Sequence, residues 1–343
     1  MSVLNCLKNG DGKTISIEIE PPKIGYTRED IFKTLDPLAK LGIKFIDITY
    51  HSPRIVDYVE SEGDRFALYQ RLHPGTSGMA GAILERYAKY KIFPVPHLIC
   101  TGFSRYDTED FLHELACLGV TNVLALRGDG SREPCGNILP FKQSPGGHHF
   151  AYELINQIVQ LREGKYCGVL TGKPMDFEVG AACYPEGHPD RGTDNIDLEW
   201  LKKKADQGAD YFISQMFFDC DLYEKFLDLA EAKGIKQPII PGIKPLTIYR
   251  HLDALPKIFS CRLPPELRSR VEKFKDSKED VRKVGIEWCI EQCIRLREIG
   301  APSLHFYAAR NAPIKEIIEH INDVQEEPED GIQRQLAEIK RLL

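Results

Sequence analysis

Asn122-Val123-Leu124-Ala125-Leu126-Arg127-Gly128-Asp129 reads as a buried strand whose apolar run ends abruptly in a cation, a glycine and a carboxylate. Barrel strands deliver reactive groups to their C-terminal rim in this way. Alone, the octapeptide is better read as a strand followed by an ordinary turn. Its weight comes from the other stretches of the chain that end similarly.

Upstream, residues 15–20 alternate strictly, with Ile15, Ile17 and Ile19 on one face and Ser16, Glu18 and Glu20 on the other. Pro21-Pro22 then remove ladder donors and end the strand. The preceding Gly10-Asp11-Gly12-Lys13-Thr14 is not a phosphate-binding P-loop. That motif requires a glycine where Leu7 stands, and a helix afterwards. Strands follow at 44–50, with Asp47 and Thr49 on the polar face, and at 93–100, carrying His97. Downstream of the opening stretch, strands are expected at 176–182, 211–215, 238–243 and 303–307. Helices are expected at 28–41, around 81–90, and at 108–118, 150–162, 196–206 and 220–233. Residues 246–299 form a helical stretch, and a short helix follows Pro313. The glycine- and proline-bearing segment 51–80 reads as irregular chain of the kind that serves as a binding loop.

Eight strands alternating with helices, without an internal repeat or linker, give an α/β fold, a single-domain (β/α)8 TIM barrel. A doubly wound sheet is the other fold with this alternation, but no strand is followed by Gly-x-Gly-x-x-Gly. Residues 1–322 form the barrel. Residues 323–343 form an acidic linker and a C-terminal amphipathic helix, on which Ile332, Leu336, Ile339 and Leu343 make one stripe. Such a stripe docks on the barrel or on a second subunit, so a homo-oligomer is compatible with it.

The chain has 343 residues, 42% of them apolar, with 45 basic side chains against 51 acidic ones and a net charge of -6. That balance argues against nonspecific nucleic-acid binding. No run of eighteen apolar residues and no basic-then-apolar leader is found, so no membrane partner and a cytoplasmic location are expected. Ten cysteines lie between Cys6 and Cys293 without a Cys-x-x-Cys pair, and read as reduced thiols.

On a barrel, the strand ends gather Glu18, Glu20, Thr49, His97, Arg127, Asp129, Tyr184, His188 and Gln215 at one mouth. Carboxylates facing an enclosed lumen have raised pKa values, so one of them can stay protonated near neutrality and act as a general acid. Metal-assisted hydrolysis, which wants at least three convergent ligands, is permitted but not singled out. Residue chemistry alone therefore reaches a barrel enzyme with an acidic lumen and a basic, aromatic rim.

These same residues resemble the methylenetetrahydrofolate reductase family, in its bacterial form of a catalytic barrel alone. The matching stretches are Glu18-Ile19-Glu20-Pro21-Pro22, Asp47-Ile48-Thr49-Tyr50, Pro96-His97-Leu98-Ile99-Cys100, Leu124-Ala125-Leu126-Arg127-Gly128-Asp129 and Tyr184-Pro185-Glu186-Gly187-His188-Pro189. Leu201-Lys202-Lys203-Lys204, Gln215-Met216-Phe217-Phe218-Asp219 and Pro241-Gly242-Ile243-Lys244-Pro245 continue the series.

The resemblance implies an FAD-containing oxidoreductase that converts 5,10-methylenetetrahydrofolate to 5-methyltetrahydrofolate for methionine synthesis. NADH or NADPH is the electron-donating co-substrate, and the two substrates use one pocket in turn. It implies Glu18 as the acid that opens the folate's five-membered ring, and Asp129 as the charge that stabilises the resulting cation. Gln215 is the implied pterin ligand and Arg310 the implied contact to the glutamate tail, although Arg310 is offset by one position from the family's arginine. Thr49, His97, Leu126, Arg127, Gly128, Asp129, Ala151, Tyr184, His188, Asp197 and Lys204 are the implied FAD-binding set. No regulatory domain of the animal type is expected. A flavin-free folate-binding barrel and a metal-dependent barrel hydrolase are the alternatives; each predicts a protein without flavin absorbance.

Overall fold

In β1 (Ile15–Ile19) the three isoleucines are buried in the apolar layer shared with the surrounding helices, while Ser16 and Glu18 face the lumen side. A computed structural model describes residues 2–10, 12–168, 171–188, 198–307 and 312–326. After β2 (Phe45–Ile48), two strands, β3 (Arg54–Ser61) and β4 (Asp64–Gln70), pair only with each other. The barrel continues with β5 (Phe93–Ile99), β6 (Asn122–Leu126), β7 (Glu178–Cys183), β8 (Tyr211–Met216), β9 (Ile239–Ile243) and β10 (Leu304–Tyr307). All neighbours are parallel, and β10 closes against β1 with Ser16 opposite His305 and Glu18 opposite Tyr307. On the other side Glu18 stands opposite Asp47 of β2.

The outer layer is built by α2 (Arg28–Ala39), α3 (Thr76–Tyr87), α4 (Arg105–Cys117), α5 (Ala151–Arg162), α6 (Leu198–Asp206), α7 (Cys220–Ala232), α8 (His251–Phe259), α9 (Pro265–Glu272), α10 (Lys278–Glu298) and α11 (Ile314–Glu326). Apolar positions such as Leu35, Ile83, Leu112, Ile158, Phe226, Ile290 and Ile317 turn inward onto the strands. Local sequence sets the helix starts; Ser104 and Asp107, for example, form a reciprocal capping box at α4.

One end of the barrel is plugged. A seven-residue helix preceding α2 in the chain, α1 (Val3–Asn9), was not foreseen from its short, mixed sequence. Val3 and Leu7 of this helix pack on Phe45, Phe93, Val95, Leu124, Tyr211, Ile213 and Ile240 inside the lumen. Its first backbone N–H groups are satisfied from the barrel: Val3 N donates to Asn122 Oδ1 at 3.3 Å and Leu4 N to Glu178 Oε1 at 2.8 Å. Asn122 and Glu178 begin their strands, so α1 closes the N-terminal end and leaves the C-terminal end as the mouth.

The segment 51–80 corrects the expectation of irregular chain. It contains the β3–β4 hairpin, and the next helix starts at Thr76 rather than near residue 81. Glu62 and Gly63 both take left-handed φ values, 54° and 85°, as a two-residue type I′ turn requires. Val59 then pairs with Phe66 and Glu60 with Arg65, whose guanidinium sits 4.1 Å above the Tyr58 ring. The helical stretch 246–299 resolves into α8, α9 and α10. The stripe through Ile332, Leu336, Ile339 and Leu343 lies outside the described residues.

Candidate active site

The mouth holds a continuous cleft. Glu18, Glu20, Thr49, His97, Leu126, Arg127, Gly128, Asp129, Tyr184 and His188, residues from five strand ends, line one cavity of about 1430 Å³ that opens to solvent. Toward β8 and β9 the cleft continues past Gln215, Lys244 and Tyr307. On the α5–α6 flank it continues past Ala151, Tyr152, Trp200 and Lys204. The structure thus brings together every described residue expected at the site. Asp197 and Arg310 lie outside the described residues.

Glu18 projects from β1 into the floor, with 23% of its side chain accessible through the mouth. Burial pushes its carboxyl up to about 7, and the nearby His97 only partly opposes this. Glu18 Oε2 lies 3.7 Å from His97 Nε2. Below it the sequence reading missed a polar cluster. Asp47, with no exposed side-chain surface, has Oδ1 3.7 Å from His97 Nε2 and Oδ2 3.7 Å from His305 Nδ1. His305 Nδ1 is also 2.9 Å from Ser16 Oγ. Both Asp47 oxygens and His97 Nε2 are buried without a hydrogen-bond partner.

Burial sets the charge of this cluster. It pushes His305 down to about 3, lowers His97 against the pull of Glu18, and raises Asp47 well above the usual carboxylate range. Burial thus biases both imidazoles toward the neutral form and Asp47 toward the protonated acid. The strand pattern puts Asp47 on a polar face, but barrel closure is what sets β10 beside β1 and His305 within its reach. Lys244, just beyond β9, borders the same floor; burial lowers its ammonium pKa, opposed by Glu18 and Glu20.

Asp129 is positioned by its backbone. Its carbonyl accepts hydrogen bonds from Thr101 Oγ1 and Ser52 Oγ, both at 2.8 Å, and the preceding Arg127 carbonyl accepts from Cys100 N at 3.0 Å. Gly128 between them has φ 80°, and a Cβ there would come within 2.9 Å of Thr101 Oγ1 and 3.0 Å of Ile99 Cβ. Only glycine fits this turn. Arg127 holds its guanidinium 5.2 Å from the Phe141 ring.

On the flank, Lys204 Nζ donates to the Ala182 carbonyl at 2.6 Å and lies 5.7 Å from the Tyr184 ring, which meets His188 edge-on at 4.6 Å. Phe150, Tyr152 and Trp200 make an aromatic wall, with Phe150 and Trp200 centroids 4.5 Å apart. Gln215 Oε1 accepts from Met216 N at 2.9 Å, leaving the side-chain amide N–H groups as the donors for anything bound in the cleft. Among the described residues no group of three or more histidine, cysteine or carboxylate side chains is placed to hold a metal ion, and no helix is long and apolar enough to cross a membrane.

Fold and site define a (β/α)8-barrel protein whose open end carries an enclosed carboxylic acid beneath a basic, aromatic rim. The chain belongs to the methylenetetrahydrofolate reductase family, whose family model matches residues 4–322. It is 31% identical over 313 residues to a probable methylenetetrahydrofolate reductase (NADPH) of Caenorhabditis elegans, covering 89% of this chain and 42% of that protein. With methylenetetrahydrofolate reductase (NADH) 1 of Arabidopsis thaliana the identity is 32% over 324 residues, covering 90% of this chain and 48% of the relative. The chain thus spans about half the length of these curated relatives. The 5,10-methylenetetrahydrofolate reductase of Pectobacterium carotovorum matches at 27% identity over 89% of both chains. Among solved structures, a Clostridium thermocellum protein described as binding two copies of 5-methyl-5,6,7,8-tetrahydrofolic acid shares the fold. Its TM-score is 0.55 and its identity 17%, over 95% of this chain and 99% of that one.

Proposed function

We propose that this protein reduces 5,10-methylenetetrahydrofolate to 5-methyltetrahydrofolate with electrons from NADH or NADPH, using bound FAD. The observation that carries the reading is Glu18: a carboxylic acid held near pH 7 at the floor of the cleft, in a chain of this family. The cleft residues fit the flavin. Gly128 permits the tight turn that sets Arg127 and Asp129 along the cleft, Arg127, His188 and Lys204 supply donors suited to a diphosphate, and the Phe150–Trp200 wall offers ring faces to an adenine. In this reading Thr49, His97, Leu126, Arg127, Gly128, Asp129, Ala151, Tyr184, His188 and Lys204 hold FAD, with Asp197 as a further candidate. When bound, FAD supplies the hydride relay that lets the nicotinamide and the folate use one pocket in two successive half-reactions.

The chain's own residues supply the remaining chemistry. Glu18 donates a proton to the folate's five-membered ring, which opens to an iminium cation, the hydride acceptor. Its raised pKa keeps that proton available near neutrality. Asp129, held from Thr101 and Ser52, presents its carboxylate where the cation develops. Gln215 donates its amide hydrogens to the pterin and orients the methylene bridge, and Arg310 is the candidate for the glutamate tail. Sequence relatives carrying both NADH and NADPH in their names support a nicotinamide donor without choosing between them.

Asp129→Asn tests this assignment. The folate half-reaction, followed by stopped flow, should slow about a hundredfold or more, the size of a lost preorganised charge. FAD affinity should change only a few-fold. Unchanged turnover removes Asp129 from the mechanism.

A further inference from the structure

Two arginines at the mouth take no part in the chemistry above. Arg54 opens β3, and Arg132 lies three residues beyond Asp129. Their backbones pair in parallel register, with Ile55 N donating to Arg132 O at 2.7 Å. Residues directly opposed across a pair carry their side chains on the same side. Both side chains line the cavity that holds Glu18, Arg127 and Asp129.

Among the described residues no carboxylate lies within 4.0 Å of either guanidinium. Arg54 Nε is wholly enclosed and without a hydrogen-bond partner. Other arginines of this protein do find acids: Arg86 pairs with Asp36, Arg262 with Glu186, and Arg270 with Glu287 and Glu291. Two like charges placed opposite each other disfavour the pairing that holds them. An anion held by both guanidiniums from the cavity offsets the repulsion.

We propose that Arg54 and Arg132 form an anion site that takes a phosphate of the nicotinamide dinucleotide. The proposal rests on the function proposed above and assigns a role to the hairpin insertion. A guanidinium fork matches phosphate geometry with two parallel N–H donors. The pair shares its cavity with the residues proposed around the flavin but stands apart from the flank proposed for the flavin's diphosphate and adenine. Lys204 and the Phe150–Trp200 wall lie on the α5–α6 flank, whereas Arg54 and Arg132 stand on the hairpin side. There the Ser52 hydroxyl ties the hairpin stem to the Asp129 carbonyl at 2.8 Å. A dinucleotide whose nicotinamide occupies the pocket over Glu18 and Asp129 can run its phosphates out along this side. The folate carries carboxylates but no phosphate.

The test is anaerobic calorimetric binding to the protein loaded with chemically reduced FAD, which cannot accept a hydride, and to its R54Q/R132Q variant, with NADH, NADPH and 5-methyltetrahydrofolate as ligands, and FAD titrated into the apoprotein of each. The dinucleotide Kd is expected to rise about ten- to a hundredfold in the variant, with folate and FAD affinities within about twofold of wild type. In the wild type, inorganic pyrophosphate should compete with the dinucleotide, a readout that stands even if the variant folds poorly. Equal dinucleotide affinity in both proteins, or absence of pyrophosphate competition, overturns the proposal. So does a loss confined to folate, which gives the pair to the glutamate tail, or to FAD, which gives it to the flavin diphosphate. A wild type that binds neither dinucleotide overturns the underlying reading of function and the proposal with it.

Discussion

Glu18→Gln is expected to leave reduction of the flavin by NADH or NADPH within a few-fold of wild type while slowing folate reduction about a hundred- to ten-thousandfold, the range of a lost general acid. The split follows from what each half-reaction asks of the floor. Hydride delivery from a nicotinamide requires no proton from the protein, whereas opening the folate ring does. Gln keeps the shape and hydrogen-bonding reach of Glu18 but cannot give up a proton. The pH dependence has a definite sign. Glu18 is active when protonated, so the wild-type folate half-reaction should be flat below about 7 and fall tenfold per unit above it, following the pKa set by burial. The nicotinamide half-reaction should lack that limb. Stopped-flow traces of the separate half-reactions check both points, and equal damage to the two would remove Glu18 from its role.

Asp47→Asn should be tolerated, and should become stabilising as the pH rises. Asp47 has no exposed surface, neither oxygen has a donor, and both neighbouring histidines have pKa values lowered by burial. Its folded pKa therefore lies well above its unfolded one. For such a group, stability is fully present below the unfolded pKa near 3.9 and declines by about 1.4 kcal/mol per pH unit until the folded group itself ionises. Asn carries no proton to lose and lacks this slope. Glu18 imposes a slope of the same sign between about 4.5 and 7, but it is common to both proteins and cancels in the comparison. Chemical denaturation of wild type and variant from pH 5 to 8 should show the variant gaining steadily. A loss of about 3–5 kcal/mol at every pH would instead mark Asp47 as an ionised partner of His97 or His305.

The barrel was legible because its signal is local. Ile15, Ile17 and Ile19 against Ser16 and Glu18 show the period of two that a strand between lumen and helices needs, and each apolar run ends in polar residues where the mouth must be. The placement of the rim residues was legible for the same reason, and the roles the family resemblance gives them are the ones proposed above. The hairpin was hidden because its strands, Arg54–Ser61 and Asp64–Gln70, bury almost nothing. Its turn residue Glu62 takes a left-handed φ without the Asn or Asp that usually signals one. Asp47 and His305 were visible one strand at a time, but their proximity depends on the closure of β10 onto β1, a register that no single stretch encodes. The Arg54–Arg132 pair likewise exists only through a bridge between segments 78 residues apart.

The most direct measurement is the visible absorbance of the purified protein reconstituted with FAD, followed anaerobically during addition of NADH or NADPH and then of methylenetetrahydrofolate. The proposed function predicts a flavin band that bleaches with the nicotinamide and returns with the folate, with 5-methyltetrahydrofolate as the product. A protein that takes up no FAD, or whose bleached band the folate does not restore, would contradict it while leaving the barrel and its family membership in place.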